Sequence, residues 1–317
     1  MKSKTIANYL PFACMGVFLI IVQVLALLLT PQMVAHDMQA FENPQSVWNP
    51  ILYMGLILLF TLATLFVIKL KLKWPFRAFI LVVIWSTLYT VFFGLLTFVS
   101  TLDISIISSL LGAGILFYMD GTGYLISISI IGSLLGASAL TLLVYKFPEW
   151  YVIDIVGVLI GAGVTAIFGI SLDIKPTLVL LIGLAVYDAI AVYKTKHMIA
   201  LAEGVMELRL PVMFVVPKHR GYSFLKNGSK KGERGAYFMG LGDAVIPSIL
   251  VVSANVFIAP SAGFLNLPAL GAIIGTLIGF VVLTKFVAKG EPQPGLPFLN
   301  SGAIIGFMAG CLGAGIL

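Results

Sequence analysis

Two aspartates lie where an acid is costly. Asp188 sits in the apolar segment 178–191 (LVLLIGLAVYDAIA) and Asp243 in 237–252 (YFMGLGDAVIPSILVV). A carboxylate at the middle of a bilayer costs roughly 2.5–3.5 kcal/mol on insertion scales, so the pair marks a polar site in apolar surroundings. Two buried carboxylates side by side do not readily hold two charges and share a proton instead. One can then act as a base toward water while the other acts as an acid toward a carbonyl oxygen, which is the chemistry of aspartic peptide hydrolysis. Tyr187 adjoins the first acid. Gly240, Leu241 and Gly242 precede the second, and glycines there let the backbone bend or a substrate strand come close. Pro247 is placed to kink the segment that follows.

The elements that must hold these acids are membrane spans. The chain has 317 residues, 60% hydrophobic and 10% charged, with a mean hydropathy of +1.09. Many apolar runs approach the ~20 residues that cross a ~30 Å hydrocarbon core as a helix. The ten-residue alternation of a β-barrel is absent. The fold class is therefore an all-α polytopic membrane protein of nine transmembrane helices, over 9–30, 49–68, 77–99, 123–145, 151–172, 177–193, 237–258, 267–286 and 297–316. The first run is long for a signal peptide and no small-x-small cleavage site follows, so it reads as a span that stays. The shorter stretch 104–118 reads as re-entrant or interfacial.

Lys and Arg set the orientation. Lys2 and Lys4 place the N-terminus inside, and the loop 31–47 carries Asp37 and Glu42 without a basic residue. The loop 194–234 holds nine Lys or Arg against three Glu, and is internal. On this topology 18 of the 19 basic residues are cytoplasmic, Lys175 being the exception, and the C-terminus is external. Counting 104–118 as a crossing would invert everything after it. Three parts follow: a six-span half, 1–193, ending at Tyr187-Asp188; the basic loop, 194–236; and a three-span half, 237–317. The net charge of +6 is thus loop charge beside spans, not a nucleic-acid surface. The scattered His36, His197 and His219, with Cys14 and Cys311 near opposite ends, form neither a metal constellation nor a disulfide framework. No cofactor is expected.

The topology also sets depth. Asp188 lies six residues before Lys194, about 9 Å of helix, and Asp243 lies six after Tyr237 at the internal start of its span. Both acids therefore sit at similar depth near the cytoplasmic side, as a facing pair requires. Between them, 210–216 (LPVMFVV) reads either as an amphipathic segment at the membrane surface or as an edge strand on which an unwound, extended substrate could add, and 221–234, rich in Gly and Lys, as a gate. Asp154 reads as a helix-start residue at the interface rather than as a third catalytic acid. The Gly271/Gly275/Gly279 and Gly302/Gly306/Gly310 series read as close helix packing.

Tyr-Asp on one span and Gly-Leu-Gly-Asp on the next, joined by a basic loop, resembles the presenilin and signal peptide peptidase family, the GxGD intramembrane aspartyl proteases. The span count and internal loop are similar to presenilin and opposite to the signal peptide peptidase orientation. The small size and lack of a large acidic loop resemble archaeal presenilin homologues. The resemblance implies an intramembrane aspartic endopeptidase with Asp188 and Asp243 as its catalytic pair and no metal or cofactor. Its partners would be transmembrane helices of substrate proteins within the lipid bilayer.

The family carries a third motif, Pro-Ala-Leu, before its last span. Pro268-Ala269-Leu270 matches by letter, but it opens the eighth span. The stretch in the family's position is Pro294-Gly295-Leu296, with Gly for Ala. Substrate contacts are accordingly expected from Tyr187, Gly240, Leu241, Gly242, Pro294, Gly295 and Leu296.

Two other functions use the same features. A cation or proton transporter would employ the acids as an ion relay, and an inactive scaffold for membrane helices would tolerate loss of both. Ion flux in proteoliposomes and tolerance of Asp→Asn changes separate them from a peptidase.

Overall fold

The computed structural model describes residues 2–70, 73–101, 123–195, 212–219, 221–224, 235–258, 264–287 and 293–316. Within these residues there are nine helices and one two-stranded ribbon. The helices are α1 (Lys2–Ala35), α2 (Trp48–Lys69), α3 (Lys73–Thr101), α4 (Gly123–Lys146), α5 (Trp150–Ser171), α6 (Ile174–Ile190), α7 (Leu241–Phe257), α8 (Leu267–Val287) and α9 (Leu296–Gly313). Seven are long and apolar enough to cross a membrane, and α2 and α7 supply shorter apolar segments. The chain is a nearly all-α polytopic membrane protein. The stretch 104–118, and 196–211 and 225–234 of the basic loop, lie outside the described residues.

The innermost helix is α7. Every residue from Ala244 to Ala254 is buried, and α7 packs on α1, α5, α6, α8 and α9. Peripheral α2 turns Leu52, Leu56, Leu59, Leu62 and Phe66 outward, as a helix facing lipid does. Glycine controls the tightest contact, between α8 and α9. A Cβ on Gly275 would run into the Gly302 carbonyl oxygen, and one on Gly271 into that of Gly306. In lipid, where apolar burial does not drive helices together, such close backbone approach is a main source of association.

The seventh span departs from expectation. Its helix begins at Leu241, not at residue 237, because Ala236–Gly240 forms a strand, β2. It pairs antiparallel with β1 (Met213–Pro217), Val215 lying opposite Phe238. Aromatic and β-branched residues favour the extended state. More decisively, a non-helical backbone near the membrane must find hydrogen bonds somewhere, and β1 supplies them. With 17 residues, α7 spans about 25 Å, and β2 extends the path. Of the two readings of 210–216 the strand is the one present, shifted to 213–217, and its pairing partner is the segment leading into Asp243.

Candidate active site

Asp188 projects from the last two turns of α6 and is 4% exposed. Asp173 caps the start of that helix, accepting from Ile174 N at 2.6 Å. Its end loosens into a π turn, Ala191–Thr195. Asp188 Oδ2 accepts the Leu296 amide at 3.1 Å, and the Gly295 amide faces the same carboxylate. These amides belong to the first residues of α9, where backbone N–H groups have no partner within the helix and attract anionic oxygen.

Asp243 is the third residue of α7, and Gly240 is the N-cap. The side chain reaches back to the Gly240 amide, as the third helical residue does in a capping box. The ribbon leaves that amide available. Lys218 N donates to Gly235 O and Leu241 N to Val212 O, so ladder bonds fall on alternate pairs, and the Gly240 amide faces away from β1. Gly295 lies against the same carboxylate: a Cβ there would be 2.8 Å from Asp243 Cγ and Oδ1. The Gly295-Leu296 step is thus wedged between the two aspartates, one residue touching each. The carboxylates are close enough to interact electrostatically.

Two further contacts hold that step. Asn300, one turn into α9 and 1% exposed, donates from Nδ2 to the Leu181 carbonyl on α6 at 2.8 Å. Tyr193 donates its hydroxyl to Gln293 Oε1 at 2.8 Å. Together they fix the start of α9 to both ends of the α6 segment that bears Asp188.

Both acids line a cavity of about 390 Å³, with Tyr187, Gly240, Leu241, Gly242 and Leu296 in its wall. Its far side comes from Ile57, Phe60, Thr61 and Thr64 of α2 and Phe76 and Ile80 of α3. A second cavity, about 140 Å³, meets Asp243 and Gly295 from the other side, between Tyr237, Thr284 and Gln293. Of the expected site residues, Tyr187, Gly240, Leu241, Gly242 and Leu296 converge on the larger cavity, and Gly295 lines the smaller. Pro294 is buried at the entry to α9. The literal Pro268-Ala269-Leu270 starts α8, with Ala269 N donating to Asn266 Oδ1 at 2.9 Å, away from both cavities.

Sequence reasoning missed three contributors. The walls from α2 and α3 carry apolar residues and two threonines, Thr61 and Thr64, of kinds common in any span, and had no signal. Asn300 had one, a lone amide in an apolar span. Asp154 was read as an interfacial helix start; it is 3% exposed and accepts the Val215 amide at 2.7 Å.

The sequence profile of the family described as signal-peptide peptidase, presenilin aspartyl protease matches residues 15–122 and 115–316. Two solved structures of a presenilin family intramembrane aspartate protease are similar to this chain, one in space group C222 and one in P2. Each is 40% identical and is covered over 99% of its length. They span 95% and 96% of this chain with TM-scores of 0.65 and 0.64. No curated protein matches the chain.

Proposed function

The chain belongs to the signal-peptide peptidase and presenilin aspartyl protease family and is an intramembrane aspartic endopeptidase, and we propose that Asp188 and Asp243 are its catalytic pair. The observation that carries this assignment is the Gly295-Leu296 step, which contacts both carboxylates at one cavity. With the family established, a transporter role for the same acids has no support.

In this reading the pair holds one proton between two like-charged groups. The unprotonated carboxylate takes a proton from water as the water oxygen bonds to the substrate carbonyl carbon. The protonated one gives its proton to the carbonyl oxygen. When the resulting diol collapses, the C–N bond breaks, the amine leaves with a proton from one carboxyl, and a diol hydroxyl returns its proton to the other carboxylate, so the pair again holds one proton. The smaller cavity, with Tyr237, Thr284 and Gln293 beside Asp243, is the route for water. The larger, walled by α2 and α3, receives a transmembrane segment of the substrate protein from the bilayer.

A helical segment must be unwound to expose a peptide bond, and an extended one needs new backbone partners. The outer edge of β1 offers few, because Val215 N is taken by Asp154 and Pro217 has no N–H. The outer edge of β2, at Ala236 and Phe238, is the better partner. Tyr187, Gly240, Leu241, Gly242, Pro294, Gly295 and Leu296 form the substrate-contacting wall. The N-terminus and the 194–234 loop are cytoplasmic and the C-terminus external, as the basic residues distribute.

The test is incubation of purified protein with a single transmembrane peptide, with products read by mass spectrometry. Asp188→Asn and Asp243→Asn should each lower cleavage at least about 1000-fold, within the range lost with an acid–base group, and both variants should elute as the parent does. Full activity of either variant would sink the assignment. Orientation is read by labelling single cysteines at the two ends from each side of sealed vesicles.

A further inference from the structure

Asp154 is a buried acid that the peptidase chemistry leaves unused. It lies four residues into α5 and is 3% exposed. One oxygen accepts the Val215 amide at 2.7 Å. The other, Oδ2, has no hydrogen-bond partner among the described residues. Burying a carboxyl group for one hydrogen bond is a poor stabilising device, because an apolar side chain would avoid the desolvation. The value of the group must lie in what it holds.

What it holds is the outer edge of β1. The register of the ribbon turns the Val215 amide away from β2. Val215 is fully buried, so without Asp154 its N–H would be an unsatisfied buried donor. The same end of α5 grips the ribbon elsewhere. Phe214 lies against Gly157 of α5, where a Cβ would stand 3.2 Å from its ring, and stacks on Phe18 of α1 at 5.1 Å. Glu149, just before α5, accepts from Ser223 Oγ at 2.7 Å and Phe224 N at 2.9 Å. Opposite Val215, β2 runs directly through Phe238 to Gly240, the N-cap of α7, where a Cβ would stand 3.2 Å from Asp243 Oδ2.

We propose that Asp154 is a positioning residue for the peptidase reaction, fixing the β1–β2 ribbon to α5 and so setting Asp243 against Asp188. The inference rests on the assignment of those two acids as the reacting pair. It makes Asp154 neither a third acid nor a plain core residue: its function is that of a hydrogen-bond acceptor for one strand amide.

Three variants separate these roles. Asp154→Ala deletes the acceptor. Asp154→Asn keeps it. Val215→Pro deletes the same bond from the donor side, and because that N–H faces away from β2 the ladder is spared. Asp154→Ala and Val215→Pro should each lower kcat about tenfold or more with KM changed less than about twofold, the pattern of a group that sets transition-state geometry. Asp154→Asn should stay within about threefold of the parent, and the double variant should be no worse than either single, as for two ends of one interaction. Hydrogen exchange at 213–217 and 236–240 should rise in the Ala and Pro variants alone.

A folded Asp154→Ala protein with full kcat would overturn the proposal. So would an Asn variant as inactive as the Ala one, which would mark a proton-transferring acid, or additive losses in the double variant. If Asp154→Ala does not fold, Val215→Pro carries the test by itself. Asp188→Asn is the control: cleavage surviving there refutes the catalytic pair, whereas its loss beside a fully active Asp154→Ala refutes the positioning role alone.

Discussion

The Leu296 amide donates to Asp188 Oδ2 across 3.1 Å, joining residues 108 positions apart. The bond ties the start of the last helix to the acid on α6 and distinguishes Pro294-Gly295-Leu296 from Pro268-Ala269-Leu270, which lies elsewhere. Leu296→Pro removes this donor at the first position of α9, and also presses the preceding Gly295, which holds helical φ and ψ (−78°, −47°), toward extended backbone. A hydrogen bond to a charged group is worth about 1.5–3 kcal/mol, so kcat for cleavage of a transmembrane peptide should fall roughly 10- to 100-fold. An unchanged kcat would show that this amide does not support the Asp188 carboxylate in the reaction.

Gly295 offers a graded series. The atoms nearest a Cβ there are those of the Asp243 carboxylate, at 2.8 Å, and a side-chain end can rotate aside. Gly295→Ala should therefore lower kcat by no more than about tenfold, whereas Gly295→Val, with two more carbons to place, should cost about 100-fold or more, in line with the 1–3 kcal/mol of overpacking. Equal activity of the two variants would contradict the close approach.

The α8–α9 seam is a matter of stability. Gly275→Ala puts a methyl group into the Gly302 carbonyl, and should destabilise by about 1–3 kcal/mol. Gly55→Ala on α2 meets nothing within 4 Å and should leave the melting temperature unchanged. Thermal unfolding in one detergent compares them directly; equal melting temperatures would refute the packing.

Thr61 lines the larger cavity from α2. Thr61→Trp should raise KM for a transmembrane peptide roughly tenfold, equivalent to about 1.4 kcal/mol of lost binding, and leave kcat nearly intact. A fall in kcat with KM unchanged would place the substrate elsewhere.

The sequence alone determined the membrane class, the nine apolar segments, the two intramembrane acids and the segment that precedes the last span. These follow from local properties: run length, charge placement, and the rarity of an acid among apolar residues. Tertiary structure decided what those properties cannot carry. Whether 236–240 is helix or strand depends on the remote segment 213–217 offering it hydrogen bonds. The contacts of Leu296 with Asp188 and of Gly295 with Asp243 depend on how α9 packs between α6 and α7. Asp154 shows the limit most plainly. Its position near the start of a span suggested an interfacial residue, and only the fold brings Val215 to it, 61 positions away. An acid's cost can be read from its neighbours in sequence, but the partner that justifies it is chosen by packing.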